Sequence, residues 1–283
     1  MNTRRIGALI GAATLALTLT ACGDDSGGTS TSGSGTAGAG GGSGAIKIGI
    51  KFDQPGLGLK DGNTYSGFDV DVANYVAKEL GRSPVTFIQA PSKQREDLIA
   101  TGQVELIFAT YSITDERKQK VSFAGPYFVA GQDLLVAADS DIAGPEDLDG
   151  KKLCSVTGST SAQKVKDSYP GVQLQNFDTY SKCLDLVVNG QLDALTTDNT
   201  ILAGYAAQPA YKGKLKVVGK TFSEERYGVG LKKGDVALCE KVNTALKKMV
   251  DSGDWQKAVD ANFGPAGFKV DTSTNPPKTD ACS

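Results

Sequence analysis

Between Ala45 and Gly264 the chain exchanges two hydrophobic periods in strict alternation, and this exchange limits the folds open to it. Short apolar runs suited to strands are AIKIGIKF (45–52), PVTFIQA (84–90), VELIFA (104–109) and GQDLLVAADS (131–140). After the resetting loop DIAGPEDLDG (141–150) come KKLCSVTG (151–158), VQLQNF (172–177), LDALTTD (192–198) and KLKVVG (214–219). Helical patterns separate them. In SGFDVDVANYVAKELG, Phe68, Val72, Tyr75, Val76 and Leu80 share one helix face and Gly81 ends it. STSAQKVKDSYPG, YSKCLDLVVNG and NTILAGYAAQ repeat the arrangement, and two amphipathic helices (239–253 and 254–264) close it. Such alternation predicts an α/β protein with largely parallel sheets. It falls into two αβ series, with long strands expected near 129–136 and 217–223 as crossovers between two lobes. Ligands in such folds sit at the carboxyl ends of strands, facing a cleft.

Composition removes several chemistries. The 283 residues include no histidine, which excludes His-based triads, His proton shuttles and most transition-metal sites. A net charge of −2 without a basic stripe gives no reason to expect nucleic acid.

The amino terminus, MNTRRIGALIGAATLALTLTAC, has a basic start, an apolar stretch and small residues before Cys22. The stretch is short against the roughly 20 apolar residues of a membrane span. Leu19-Thr20-Ala21-Cys22 resembles a bacterial lipobox, which implies cleavage of a signal peptide (1–21) and lipid on the Cys22 thiol. An ordinary secretory signal and a retained anchor are the alternatives. Residues 22–44 are rich in Gly, Ser and Thr and read as a tether spanning roughly 25 Å. The expected location is the outer face of the cell membrane. Beyond Cys22 the chain has Cys154, Cys183, Cys239 and Cys282. An even number in an exported protein suggests two disulfides; sequence allows three pairings, of which nearest-neighbour Cys154–Cys183 and Cys239–Cys282 is preferred, with free thiols the alternative.

Two arginines stand where a simple reading would not put them. In TDERK, with Thr114 or Ser112 as N-cap, Arg117 opposes the helix macrodipole unless an anion is bound there. In PSKQRED, Arg95 shares a helix face with Leu98 and Ile99, where a core is expected. Thr157-Gly158-Ser159-Thr160-Ser161 joins a strand to a helix with small residues and hydroxyls, a pattern suited to an anion or a plain N-cap. Asp198 at the end of LDALTTD is an N-cap or an acid facing the cleft.

YSGFDVDVA (65–73), VELIFATYSITDERKQKVSFAGPY (104–127), the LDGKKL…TGSTSA run (148–162), GQLDALTTD (190–198) and ERYGVGLKKG (225–234) occur in this order. With the export signal, they resemble the extracellular solute-binding proteins of polar amino-acid ABC transporters, of the glutamate and glutamine type. The resemblance implies a two-lobed periplasmic-binding-protein (Venus-flytrap) fold joined by two crossover strands. Its expected parts are a first lobe over 45–130 and 222–268, a second over 131–221 and a tail over 269–283.

The same resemblance implies that Arg117, Ser112 and Thr160 bind a ligand α-carboxylate. Asp198 and the Thr110 carbonyl would take its ammonium. In relatives that bind acidic amino acids, a serine and an arginine three apart precede the carboxylate arginine by twenty-two positions, as Ser92 and Arg95 precede Arg117 here. Lys51 and Tyr180 are further candidates for the ligand side chain, and Phe52 is the one aromatic of the first loop placed to cover the ligand. The partners implied are a free amino acid, glutamate or aspartate, and the transmembrane subunits of an ABC permease, with the chain a monomer and not an enzyme; no bond is made or broken in such a role, so no cofactor or metal is expected. A binder of glutamine or asparagine is the alternative within this class. An amino-acid sensor or a periplasmic dehydratase of the same fold stands outside it.

Overall fold

The computed structural model describes residues 44–282; the signal segment, Cys22 and the tether up to residue 43 lie outside the described residues. The chain opens with β1 (Ile46–Ile50), where three consecutive buried residues end the strand. The expected loop after it instead forms a small antiparallel sheet of β2 (Asp53–Gln54), β3 (Gly58–Asp61) and β4 (Thr64–Ser66). Within it Phe52 packs on Tyr65, with Lys60 Nζ 5.3 Å from the Phe52 ring. Helix α1 (Phe68–Glu79) buries Phe68, Val72 and Val76, and Gly81 beyond its end has a φ of 67° that suits glycine. Then follow β5 (Val85–Gln89), a single 3-10 turn (Ser92–Gln94) running into α2 (Arg95–Ala100), β6 (Leu106–Phe108), the short α3 (Asp115–Lys118) and β7 (Val121–Ala130).

The second series is β8 (Gln132–Ala137), β9 (Lys152–Val156), α4 (Thr160–Ser168), β10 (Gln173–Phe177), α5 (Ser181–Val188), β11 (Ala194–Asp198), α6 (Asn199–Ala206) and β12 (Leu215–Val217). The chain then returns through β13 (Glu225–Lys232) to α7 (Val236–Asp251) and α8 (Asp254–Phe263). Two five-stranded sheets result, ordered β5-β1-β6-β13-β7 and β10-β9-β11-β8-β12. In each, one strand runs against the other four: β13 in the first, β8 in the second. These are the strands by which the chain arrives from the opposite lobe. The sheets are therefore mixed, where the alternating pattern alone predicted largely parallel ones.

The first crossing is almost one continuous strand, β7 into β8, interrupted only at Gly131. A Cβ there would lie 2.8 Å from Thr221 Cβ and 2.9 Å from the Ser223 carbonyl oxygen, so the two crossings touch at this glycine. The second crossing departs from expectation: residues 218–224 are not a strand. The Asp133 carboxylate takes the backbone N–H of Gly219 at 3.0 Å and of Lys220 at 3.3 Å, between Val218 and Phe222, whose N–H groups donate to the β8 carbonyls of Leu134 and Gln132 at 2.9 Å.

An aromatic cluster of Phe68, Phe128, Trp255 and Phe263 holds α1 and α8 against the first sheet, with ring centroids 5.2 to 6.1 Å apart. Both preferred disulfides are present. Cys154–Cys183 ties β9 to α5, and Cys239–Cys282 ties α7 to the tail. The tail is also held by polar contacts: the Asn275 amide accepts from Val129 N and donates to Val129 O, both at 2.9 Å, and Asp280 pairs with Arg226 at 2.7 Å.

Candidate functional site

The strand ends of the first lobe gather three cations. Lys51, the residue after β1, donates through Nζ to Ser92 Oγ at 2.8 Å. Ser92 begins the 3-10 turn and Arg95 begins α2, so the turn carries both side chains inward. Arg95 is 2% exposed. Its guanidinium lies 4.1 Å from the centre of the Tyr111 ring and donates to the Ala109 carbonyl at 3.0 Å and, more weakly, to the Ser92 carbonyl at 3.3 Å. Glu96, the acid next to it, is turned instead to the Tyr111 hydroxyl at 2.6 Å and to Arg117 Nε at 3.8 Å. Among the described residues no carboxylate forms an ion pair with Arg95 or Lys51.

Arg117 belongs to the single turn α3. Thr114 caps that turn, its hydroxyl accepting from Arg117 N at 3.2 Å. The guanidinium donates to the Ser112 carbonyl at 2.7 Å and reaches across the cleft to the Gly158 carbonyl at 3.1 Å. Gly158 has a φ of 79°, and a Cβ on it would lie 2.8 Å from Lys93 Cα, so glycine is what permits this approach of the lobes.

The remaining positions come from other elements. Thr160 opens α4 behind the Ser159 N-cap, and its Oγ1 lies 3.4 Å from Ser112 Oγ. Thr110 has a φ of 46°, the one positive value outside glycine among the described residues, and its N–H donates to Asp69 Oδ2 at 3.0 Å. Asp198 ends β11 at the N-cap position of α6 yet caps nothing. Its Oδ2 accepts from the Tyr227 hydroxyl at 2.7 Å, while Oδ1 is buried with no hydrogen-bond partner among the described residues. Tyr180, buried just before α5, is within electrostatic reach of both Asp198 and Arg95.

Burial and like charges shift these groups together. Burial, then the Arg95 charge, bring Lys51 down to about 7. Burial, then Arg117, bring Arg95 down to about 10. Asp198 is pushed up to about 7 by burial and then by Glu225, against the Tyr227 hydrogen bond. Asp69 rises to about 6 by burial, although Tyr127 and Thr110 donate to it. Tyr180 rises to about 12 by burial and the Asp198 charge. Buried charge disfavoured on both sides of a cleft is favourable to a ligand that carries the complementary charges.

A cleft of about 560 Å³ opens along Ser92, Ser112, Arg117 and Thr160. Lys51, Arg95, Thr110, Tyr180 and Asp198 are buried and do not line it. Three residues at this place carried no assignment in the sequence reading. Tyr227 links Asp198 to Thr200, Glu225 accepts from Thr160, and the buried Gln54 accepts from Thr110 at 3.3 Å while its own Nε2 has no partner among the described residues. Tyr227 and Glu225 both lie in ERYGVGLKKG, which was their only visible signal, and none marked Gln54. Among the described residues no cluster of His, Cys, Asp or Glu is placed to hold a metal ion, and no helix is long and apolar enough to cross a membrane.

Two sheets, two crossings and a polar cleft with opposed charges define a two-lobed binding protein. The chain belongs to the bacterial extracellular solute-binding proteins, family 3, whose family model matches residues 46–265. It is 47% identical over 285 residues to the glutamate-binding protein GluB of Corynebacterium glutamicum, covering 95% of this chain and 94% of that one. It is 38% identical over 217 residues to the ABC transporter glutamine-binding protein GlnH of Bacillus subtilis, covering 75% and 78%. An ancestral arginine-binding protein solved bound to glutamine superposes with a TM-score of 0.73 at 38% identity, over 78% of this chain and 98% of the other.

Proposed function

We propose that this chain is the substrate-binding component of an ABC importer, held to the outer face of the membrane by lipid on Cys22. It captures glutamate, or aspartate, between its lobes and delivers it to the permease as a monomer, without chemical change. In this reading Arg117, Ser112 and Thr160 meet the α-carboxylate, and Asp198 Oδ1 and the Thr110 carbonyl meet the ammonium. Ser92, Arg95, Lys51 and Tyr180 face the side-chain carboxylate. Closure of the lobes is stabilised by the difference in ligand affinity between the open and closed forms.

The observation that carries the reading is the charge count. Among the described residues, the buried cations Lys51, Arg95 and Arg117 have one carboxylate, Glu96, within ion-pair distance between them, and the buried Asp69 acts on Lys51 and Arg95 only from farther away. A dicarboxylate amino acid supplies the missing charges, and its single ammonium matches the orphaned Asp198 oxygen. A neutral amide would leave the Arg95 guanidinium without an anion, at a cost of about 2–3 kcal/mol or about a hundredfold in affinity. Capture of glutamine is the second reading, and one observation favours it: a Lys51 brought down to about 7 is partly neutral, which lowers the positive charge awaiting the ligand.

Titration calorimetry with glutamate, aspartate, glutamine and asparagine, on the wild type and on Arg95→Ala, separates the readings. The acidic reading expects a preference for glutamate over glutamine of about a hundredfold that collapses in Arg95→Ala. An equal affinity for the two in wild type, or a preference that survives the substitution, would sink it. Turnover of any bound compound would move the chain to the dehydratase class.

A further inference from the structure

Glu225, the first residue of β13, is buried, and its carboxylate accepts from two hydroxyls, Ser223 Oγ at 2.8 Å and Thr160 Oγ1 at 2.9 Å. Among the described residues no lysine or arginine forms an ion pair with it. Its charge is thus held by hydroxyls alone, an incomplete compensation for a buried anion. Thr160 opens α4 on the second lobe and Glu225 stands in the first sheet, so their hydrogen bond spans the cleft.

A threonine hydroxyl has one hydrogen to give. While Thr160 gives it to Glu225, it has none for the carboxylate of an amino acid. The consequence reaches Ser112, whose Oγ lies 3.4 Å from Thr160 Oγ1. With the threonine hydrogen committed, Ser112 is the donor in that pair, so its hydrogen also points at protein. Arg117 is turned the same way, donating to the Ser112 and Gly158 carbonyls. The two hydroxyls assigned above to the α-carboxylate are thus committed to protein, Arg117 has two of its N–H groups on carbonyls, and Glu225 is the carboxylate that holds a hydroxyl.

We propose that Glu225 is a built-in competitor for the ligand α-carboxylate: it latches Thr160 across the cleft, and the incoming amino acid must displace it. The inference rests on the amino-acid-binding reading above and adds an affinity-setting residue to it. It makes the affinity of the natural chain lower than its donor set alone would give. The influence of Glu225 on Asp198 shows that its field also reaches the other end of the site. A purely supportive Glu225, one that only holds Thr160 in place for a backbone N–H contact with ligand, predicts the opposite sign on removal.

The test is L-glutamate calorimetry on wild type, Glu225→Ala, Glu225→Gln, Thr160→Val and the double variant Glu225→Ala/Thr160→Val. Removal of a hydrogen bond to a charged group predicts glutamate binding about tenfold tighter in Glu225→Ala. In Glu225→Gln, which keeps the size and a neutral acceptor, the gain is about threefold, and this variant serves if the alanine form does not fold. The gain disappears in the Thr160→Val background, because no hydroxyl is left to release. Unchanged or weaker binding in Glu225→Ala overturns the latch. So does a gain of full size that persists in Thr160→Val, which would mark simple charge repulsion. If the wild type binds none of the twenty amino acids, it is the preceding reading that fails.

Discussion

The Tyr227 hydroxyl donates to Asp198 Oδ2 at 2.7 Å and lies 2.9 Å from Thr200 Oγ1, so a residue of the first sheet sets the acid that ends a strand of the second. The Tyr227 backbone also bridges to Ser112 in the first lobe, which places both ends of the proposed ligand in contact with one residue's surroundings.

Tyr227→Phe removes the one side-chain donor to Asp198 among the described residues and raises the carboxyl further above the ordinary range. Glutamate affinity falls about tenfold at pH 8, and by more at pH 6, where a larger fraction of Asp198 is protonated and cannot meet an ammonium. Calorimetry at the two pH values checks it; an equal loss at both would show that the hydroxyl does not act through the charge of Asp198.

The buried charges give the chain a definite pH dependence. Asp198 near 7 and Asp69 near 6 stand above the ordinary 3.8, so their contributions to stability are full below the unfolded value and are lost as pH rises through about 6 to 7. Lys51 runs the other way, from an ordinary 10.5 down to about 7, so its contribution is full above 10.5 and lost as pH falls through about 7. The losses from the two acids and from Lys51 therefore overlap near neutrality, where glutamate should give its largest rise in melting temperature. Binding near pH 7 makes Lys51 take up about half a proton and Asp198 release about half, which nearly cancel. Lys51→Met exposes a net release of about half a proton. Calorimetry in phosphate and Tris, whose ionisation heats differ, reads the count; no change on removing Lys51 would be inconsistent with its titration in the site.

Gly158→Ala forces a Cβ to within 2.8 Å of Lys93 Cα at a φ of 79°. The lobes cannot meet at this point without displacement, so glutamate affinity drops at least tenfold while the melting temperature of the protein alone falls by only a few degrees. A large stability loss with unchanged affinity would place the strain inside the second lobe instead.

What the sequence made legible was local. Thr114, Asp115 and Arg117 lie within one turn, so the conflict between a guanidinium and a helix N-terminus is visible in four letters. The same holds for Arg95 beside Leu98 and Ile99, whose burial the structure repeats. Tyr227, Glu225 and Gln54 were not legible, because their partners Asp198, Thr160 and Thr110 are 29, 65 and 56 residues away in the chain. The small sheet of β2 to β4 was missed because strands of two to four residues, most of them polar, carry too little alternation to separate from a loop. The second crossing failed for a different reason. The KLKVVG pattern does form β12, but just beyond it the Asp133 carboxylate of β8 takes the Gly219 and Lys220 N–H groups, a contact far off in sequence.

The tail over 269–283 would be the first part trimmed by anyone shortening the chain, since no strand or helix is found there among the described residues. Yet Asn275 grips Val129 just before one crossing, and Asp280 holds Arg226 just after the other. With Cys282 tied to α7, the terminus becomes a drawn thread over both places where the lobes are joined. Tags, dyes or truncations at the carboxyl end would therefore act on the joint itself, and a reporter meant to leave ligand capture undisturbed belongs elsewhere on the chain.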